Sequence, residues 1–153
     1  MIDLFNNTVL NQIKNNKSYL IIKACNFKKE YLKESDNFIS YFVKKLDYAL
    51  ENSIDRKIYL IVDVFDFKTR IINLPFVLKF VNTFKKFENE SDKYKDIFKR
   101  IVVINYNPVF KFVFNFVKGF VDKKKIEMVE FINKVKKKDR NNENVKYNLN
   151  NLM

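Results

Sequence analysis

A chain of 153 residues is long enough for one domain with one proper core and too short for two. The 30 basic and 18 acidic residues leave a net charge of +12, yet arginine, the usual phosphate fork and base reader, occurs only as Arg56, Arg70, Arg100 and Arg140. With no histidine, Gly119 as the only glycine and Cys25 as the only cysteine, imidazole-based catalytic pairs and metal sites, glycine-rich phosphate loops and intramolecular disulfides are all excluded.

In chain order, Ile2, Leu4, Phe5, Val9, Leu10 and Ile13 have roughly helical spacing up to the polar break Asn15, Asn16 and Lys17, which predicts a leading helical segment over 1 to 17. Tyr19 to Ala24 is a compact apolar run and reads as a strand, with Cys25 as a buried small residue following it. From Ser35, Phe38, Ile39, Phe42, Val43, Leu46 and Leu50 recur at three and four, the stripe of a helix lying on a sheet and ending near Asn52. Ile58 to Val64 is apolar without alternation, as in a central strand covered on both faces. Pro75 suits the first turn of a second helix, whose stripe is Leu74, Val77, Leu78, Val81 and Phe84. Tyr94, Ile97 and Phe98 suggest a short helical turn, Ile101 to Ile104 a second central strand, and Ile126, Met128, Val129 and Phe131 a last strand. Alternating strands and helices predict an α/β fold, a single mixed, largely parallel β-sheet flanked by helices. One domain is expected over 1 to 138, with a polar C-terminal tail over 139 to 153.

The segment 108 to 121 stands apart. Pro108 opens it, and Lys111, Asn115 and Lys118 form one narrow polar stripe among phenylalanines and valines. A helix on a sheet needs an apolar arc of about a third of its circumference, and this one is apolar over well more than half. Burying one phenylalanine is worth roughly 1.5 to 3 kcal/mol, so a second cover is called for: neighbouring helices of this chain, a partner protein, or an apolar ligand.

Ordered along the chain, IVDVFDF with Asp63, YKDIFKRIVVIN from Tyr94 to Asn105, NPVF from Asn107, and GFVDKKKIEMV with Phe120, Lys125 and Ile126 resemble the CRAL-TRIO lipid-binding domain family. The match in spacing and order covers about half the chain, and no single motif in it is strong. The resemblance implies a CRAL-TRIO-like fold in which residues 108 to 121 are the gating helix over a hydrophobic ligand. It also marks departures: the family's Tyr-Pro-Glu-Arg stands here as Tyr94, Lys95, Asp96 and Ile97, so the arginine that helps contact inositol phosphate is lost, and Asp96 and Lys125 remain as headgroup residues. In its compactness the chain is similar to the branch of the family found in Rho-GTPase-activating and scaffold proteins.

On this resemblance the expected function is non-enzymatic binding or transfer of a lipid or other hydrophobic small molecule, with no cofactor besides a bound lipid. Phe110, Phe114, Val117 and Phe120 line the site, with Phe80 and Phe84 as wall residues from the preceding helix. The alternative is a protein interaction module on the same fold with a collapsed cavity, contacting a protein partner or another copy of itself. Lys123, Lys124 and Lys125 with Lys134, Lys136, Lys137 and Lys138 form the densest basic patch; it is first a solvated face, and functionally a membrane-surface patch for anionic headgroups. Nucleic acid ranks behind both. Asp63, Asp66 and Asp96 are read as loop and cap residues rather than as metal ligands or catalytic acids. The start of the sequence lacks the basic front of a signal peptide and no run reaches membrane-spanning length, which predicts a cytoplasmic protein with peripheral membrane association.

Overall fold

The computed structural model describes residues 5 and 7 to 132. Its centre is a five-stranded sheet in the order β1 (Val9–Lys14), β2 (Lys17–Lys23), β3 (Ile58–Asp63), β4 (Phe98–Ile104) and β5 (Val129–Ile132). β1 runs antiparallel to β2 and every other pairing is parallel, so the sheet is mixed and largely parallel. Between the parallel strands come α1 (Ser35–Glu51), α2 (Leu74–Glu90), then α3 (Pro108–Val117) and α4 (Lys123–Met128).

The chain does not begin with the expected leading helix. Residues 9 to 14 pair with 17 to 22 as a hairpin closed by Asn15 and Asn16, both in the left-handed region at φ 52° and 65°. A two-residue type I′ turn requires positive φ at both positions, and asparagine tolerates it better than most residues. The pair that reads as a polar break after a helix is therefore the turn itself. Val9, Leu10 and Ile13 fit either period, and pairing with β2 settles the choice.

Two further boundaries move. Asp96, at φ 52°, ends any helix after the single turn Asp92–Tyr94, and Ile97 then accepts the Ile58 amide at 2.7 Å, so Phe98 belongs to β4 rather than to a helical turn. Ile126 and Met128 lie in α4, whose first turn forms as Lys125 and Ile126 donate to the Asp122 carbonyl at 3.0 and 3.1 Å; the last strand starts only at Val129. Cys25 sits half-buried in the turn after β2. The positions expected at Ile2, Leu4, Lys134, Lys136, Lys137 and Lys138, and the tail over 139 to 153, lie outside the described residues.

α2 and α3 start where the sequence says. Asn73 accepts the Phe76 amide at 2.9 Å and Asn107 accepts the Phe110 amide at 2.9 Å, each with proline in the first turn. An asparagine cap and a proline that needs no donor together satisfy a helix start. The inner stripe of α1 (Phe38, Phe42, Leu46 and Leu50) packs with Leu20 and Ile58 in the main core. Val113 and Val117 of α3 pack with Val64 and Val103 in a second cluster on the same side of the sheet. The opposite side carries Tyr19, Ile21, Ile61, Val102 and Ile104, all buried.

A polar lock fixes the carboxyl ends of the central strands. Asp63 is buried and accepts from the Phe65 amide at 3.1 Å and from Asn105 Nδ2 at 2.9 Å. Asn105 takes φ 58°, which turns the chain out of β4 toward the cap of α3. This is the loop-bonding role expected of a strand-end aspartate, and it sets where the phenylalanine-rich helix leaves the sheet.

Candidate ligand chamber

Between the sheet and the later helices lies an apolar cavity of about 200 Å³. Its floor is built by Ile22, Leu60, Ile101 and Val129, one residue from each of the four parallel strands. Registered strands place same-face side chains side by side, and Leu60 stands opposite Ile101, as Ile101 does opposite Val129. Phe42 from α1, Phe80 and Phe84 from α2, and Phe114 from α3 form the walls. Phe42 meets Phe80 edge to face at 4.8 Å, and Phe84 at 6.2 Å. Edge-to-face rings hold one another by their quadrupoles as well as by area, so the wall keeps its shape with empty space behind it.

The chamber explains an oddity of α2. Its apolar stripe is as regular as that of α1, yet Phe76 is its only buried residue, because Phe80, Val81 and Phe84 border the cavity.

One end of the chamber is polar. Lys85, Glu88, Asp122 and Lys125 line it, and the same four residues line a second, larger cavity of about 520 Å³ that opens beyond them. This vestibule adds Lys57, Lys95, Asp96, Lys99 and Lys124. Lys125 Nζ lies 2.6 Å from Glu88 and 3.2 Å from Asp122, with both Lys125 and Glu88 largely shielded. Burial works against the Lys125 ammonium, but the hydrogen bonds and charges of Glu88 and Asp122 outweigh it, so its pKa lies above the ordinary lysine value. Lys124 pairs with Asp96 at 2.9 Å, which lowers the Asp96 pKa. Lys57 donates to the Asp96 carbonyl.

Of the residues expected to meet ligand, Phe80, Phe84 and Phe114 face the chamber, Lys125 stands at its mouth and Asp96 in the vestibule. Three others are elsewhere. Phe110 packs edge to face on Phe67 at 5.4 Å, Val117 is buried in the core beside Val64 and Val103, and Phe120 lies on the surface, 42 % exposed. The reason is helical geometry: α3 ends at Val117 and a tighter turn, Lys118–Phe120, follows, so Phe120 rotates away from the sheet. Lys123 is open to solvent, 3.9 Å from Glu127. Asp66 pairs with Lys68 at the surface, and among the described residues no group of three or more cysteine or acidic side chains could hold a metal ion.

Sequence reasoning missed Phe42, Phe98, Lys85 and Glu88. Lys85 and Glu88 lie one turn beyond Val81 and Phe84, so following the inner stripe of α2 past its last phenylalanine leads to them.

The outer flank of α3 is bare. Val109, Phe112 and Phe116, followed by Phe120, line one side at helical spacing, with Phe112 77 % and Phe116 50 % exposed. Among the described residues no second cover lies over this flank, and the excess of phenylalanine is displayed. Among the described residues no helix is long and apolar enough to cross a membrane.

A largely parallel sheet with an apolar chamber under its helices, and a phenylalanine-rich helix as one chamber wall, defines an α/β domain of the kind that holds hydrophobic ligands. The family model for the CRAL/TRIO domain matches residues 5 to 147, and the chain belongs to that family, whose members are in general lipid-binding and lipid-transfer proteins rather than enzymes. The crystal structure of Sfh5 superimposes with a TM-score of 0.68 at 14 % sequence identity over 83 % of this chain, which supports the fold. This chain covers 48 % of the Sfh5 chain. A sequence search of curated proteins returns no match.

Proposed function

We propose that this domain carries a lipid whose apolar part occupies the chamber between α2, α3 and the sheet, and that it exchanges this ligand at an anionic membrane. The observation that carries the proposal is the chamber itself: about 200 Å³ walled by phenylalanines, with charged side chains only at one end. That polarity gives an amphiphile one orientation, tail inward and head toward Lys125, with Asp96 and the vestibule lysines around the head. Cavities that stay empty of water and are lined by apolar residues take up apolar ligands readily.

Exchange at a membrane is supported by the bare flank of α3. Lys118 and Lys123 follow Phe116 and Phe120 closely in the sequence, and each lysine held near an anionic surface adds about 1 kcal/mol. The same exposed rings favour a second reading, in which the flank binds a protein or a second copy of this chain; concentration-dependent sedimentation of ligand-free protein would support it.

Native mass spectrometry of the purified chain before and after incubation with liposomes tests the main proposal. A retained or acquired lipid mass is the expected result. A chain that is reproducibly empty and takes up nothing refutes it.

A further inference from the structure

The side of the sheet away from the chamber is buried, and no described helix lies over it. β2, β3, β4 and β5 are parallel neighbours in chain order, and right-handed crossovers that all advance one way put every connecting helix on one side. α1, α2 and α3 accordingly pack with Leu20, Leu60 and Val103, which share that side. The cluster on the other side, Tyr19, Ile21, Ile61, Val102 and Ile104 with its partly buried rim, consists of strand residues alone. Yet none of those five is more than 3 % exposed. Neighbouring strands shield a side chain sideways and not from above, and parallel strands are as a rule covered on both faces. The exposures are those of one chain by itself, so the cover comes from this chain.

Two stretches outside the described residues could supply it. Residues 1 to 4 lead into Phe5, whose ring packs on Tyr31 and Phe38 at 4.9 and 5.5 Å on the helix side. Four residues reach about 13 Å, while five strands at about 4.8 Å spacing span about 19 Å. Residues 133 to 153 instead continue from Ile132, which itself belongs to the rim of the back cluster. The stretch 133 to 144 is polar except for Val135 and can cross about 40 Å. After it, Val145, Tyr147 and Leu149 alternate with Lys146, Asn148 and Asn150, and Leu152 follows. Such alternation gives an extended segment one apolar side.

We propose that residues 145 to 152 form a strap over the back of the sheet, their apolar side closing Ile61, Val102 and Ile104 from water. The strap acts on the chamber through the strands between them. Ile22, Leu60 and Ile101 of the chamber floor are next in sequence to Ile21, Ile61 and Val102 of the back, so fixing one side of these strands fixes the other. The proposal stands whether or not the chamber holds a lipid.

Paramagnetic relaxation in the full chain tests it. With a nitroxide on Asn151→Cys in a Cys25→Ser background, the amides of Tyr19, Ile61 and Val102 should lose intensity, while those of Lys44 and Tyr48 on the exposed side of α1 keep theirs. Equal loss on both sides, or no loss, overturns the proposal. Loss seen only when labelled chain is mixed with isotope-enriched, unlabelled chain assigns the cover to a second copy and overturns it as well. Tyr147→Asp together with Leu149→Asp in the full chain should lower Tm and raise the binding of an apolar dye, because two carboxylates would be pressed onto an apolar face. Parent values for both also overturn it, and a double variant that fails to fold leaves the label to decide.

Discussion

Phe112 offers the sharpest separation between stability and function. It is 77 % exposed on the outer flank of α3, so replacing it should leave the fold alone and weaken only what docks there. Serine is the replacement of choice because its helix propensity is close to that of phenylalanine. Complete burial of a phenylalanine is worth about 1.5 to 3 kcal/mol, and the exposed fraction scales the amount still available on docking to about 1.2 to 2.3 kcal/mol. At tenfold per 1.4 kcal/mol, Phe112→Ser should raise the dissociation constant for anionic vesicles by about 7- to 45-fold. The part of Phe112 already buried is worth only about 0.3 to 0.7 kcal/mol to the fold. Vesicle co-sedimentation gives the first quantity and thermal unfolding the second. Salt supplies an internal control, since it screens the contribution of Lys118 and Lys123 but not that of the ring. Vesicle affinity within twofold of the parent, or a fall in Tm of many degrees, would refute the docking assignment for this flank.

Asn16→Val should cost about 1 to 2 kcal/mol, because a β-branched residue cannot easily take the left-handed φ of 65° in the β1–β2 turn; denaturant unfolding measures it, and unchanged stability would mean the hairpin turn is not of this type. The Cys25 thiol should react slowly at neutral pH, because burial raises its pKa above the ordinary value and the Lys23 ammonium offsets only part of that rise, with Asp63 acting in the same direction as burial. The rate of iodoacetamide alkylation against pH should therefore inflect above the value of about 8.5 of a free thiol and return to it in urea; an inflection at or below that value in the native protein would contradict the assignment.

The elements that were legible in the sequence share a physical cause: their signals are local. Asn73 with Pro75 and Asn107 with Pro108 mark helix starts because cap and proline act within one turn. The runs at 58 and 101 mark central strands because both faces of those strands are buried, as Ile58, Ile61, Val102 and Ile104 are. β1 was not legible, since three apolar residues over five positions satisfy either period, and its identity depends on a partner strand across a turn. The vestibule was still further from view. Lys57 precedes β3, Lys85 is on α2, Lys99 is in β4 and Lys124 on α4, and nothing in a linear spacing brings four such positions to one cavity.

The chamber exposes a deeper limit, because a cavity wall and a core use the same residues. Phe80 and Phe84 continue an ordinary amphipathic stripe, and whether the space behind them is filled depends on the sizes of side chains from seven other elements. α3 escapes that ambiguity through surplus. Its inward side uses Phe110, Val113 and Val117 in the core and Phe114 at the chamber, while Val109, Phe112 and Phe116 on the other side leave about half or more of their surface in water. Leaving such residues in water forgoes a few kcal/mol of burial, which is the size of stabilisation that docking to a lipid surface would restore. An apolar excess within a single ten-residue helix is therefore visible before any tertiary contact is known, and it is the feature that the proposed membrane docking would use.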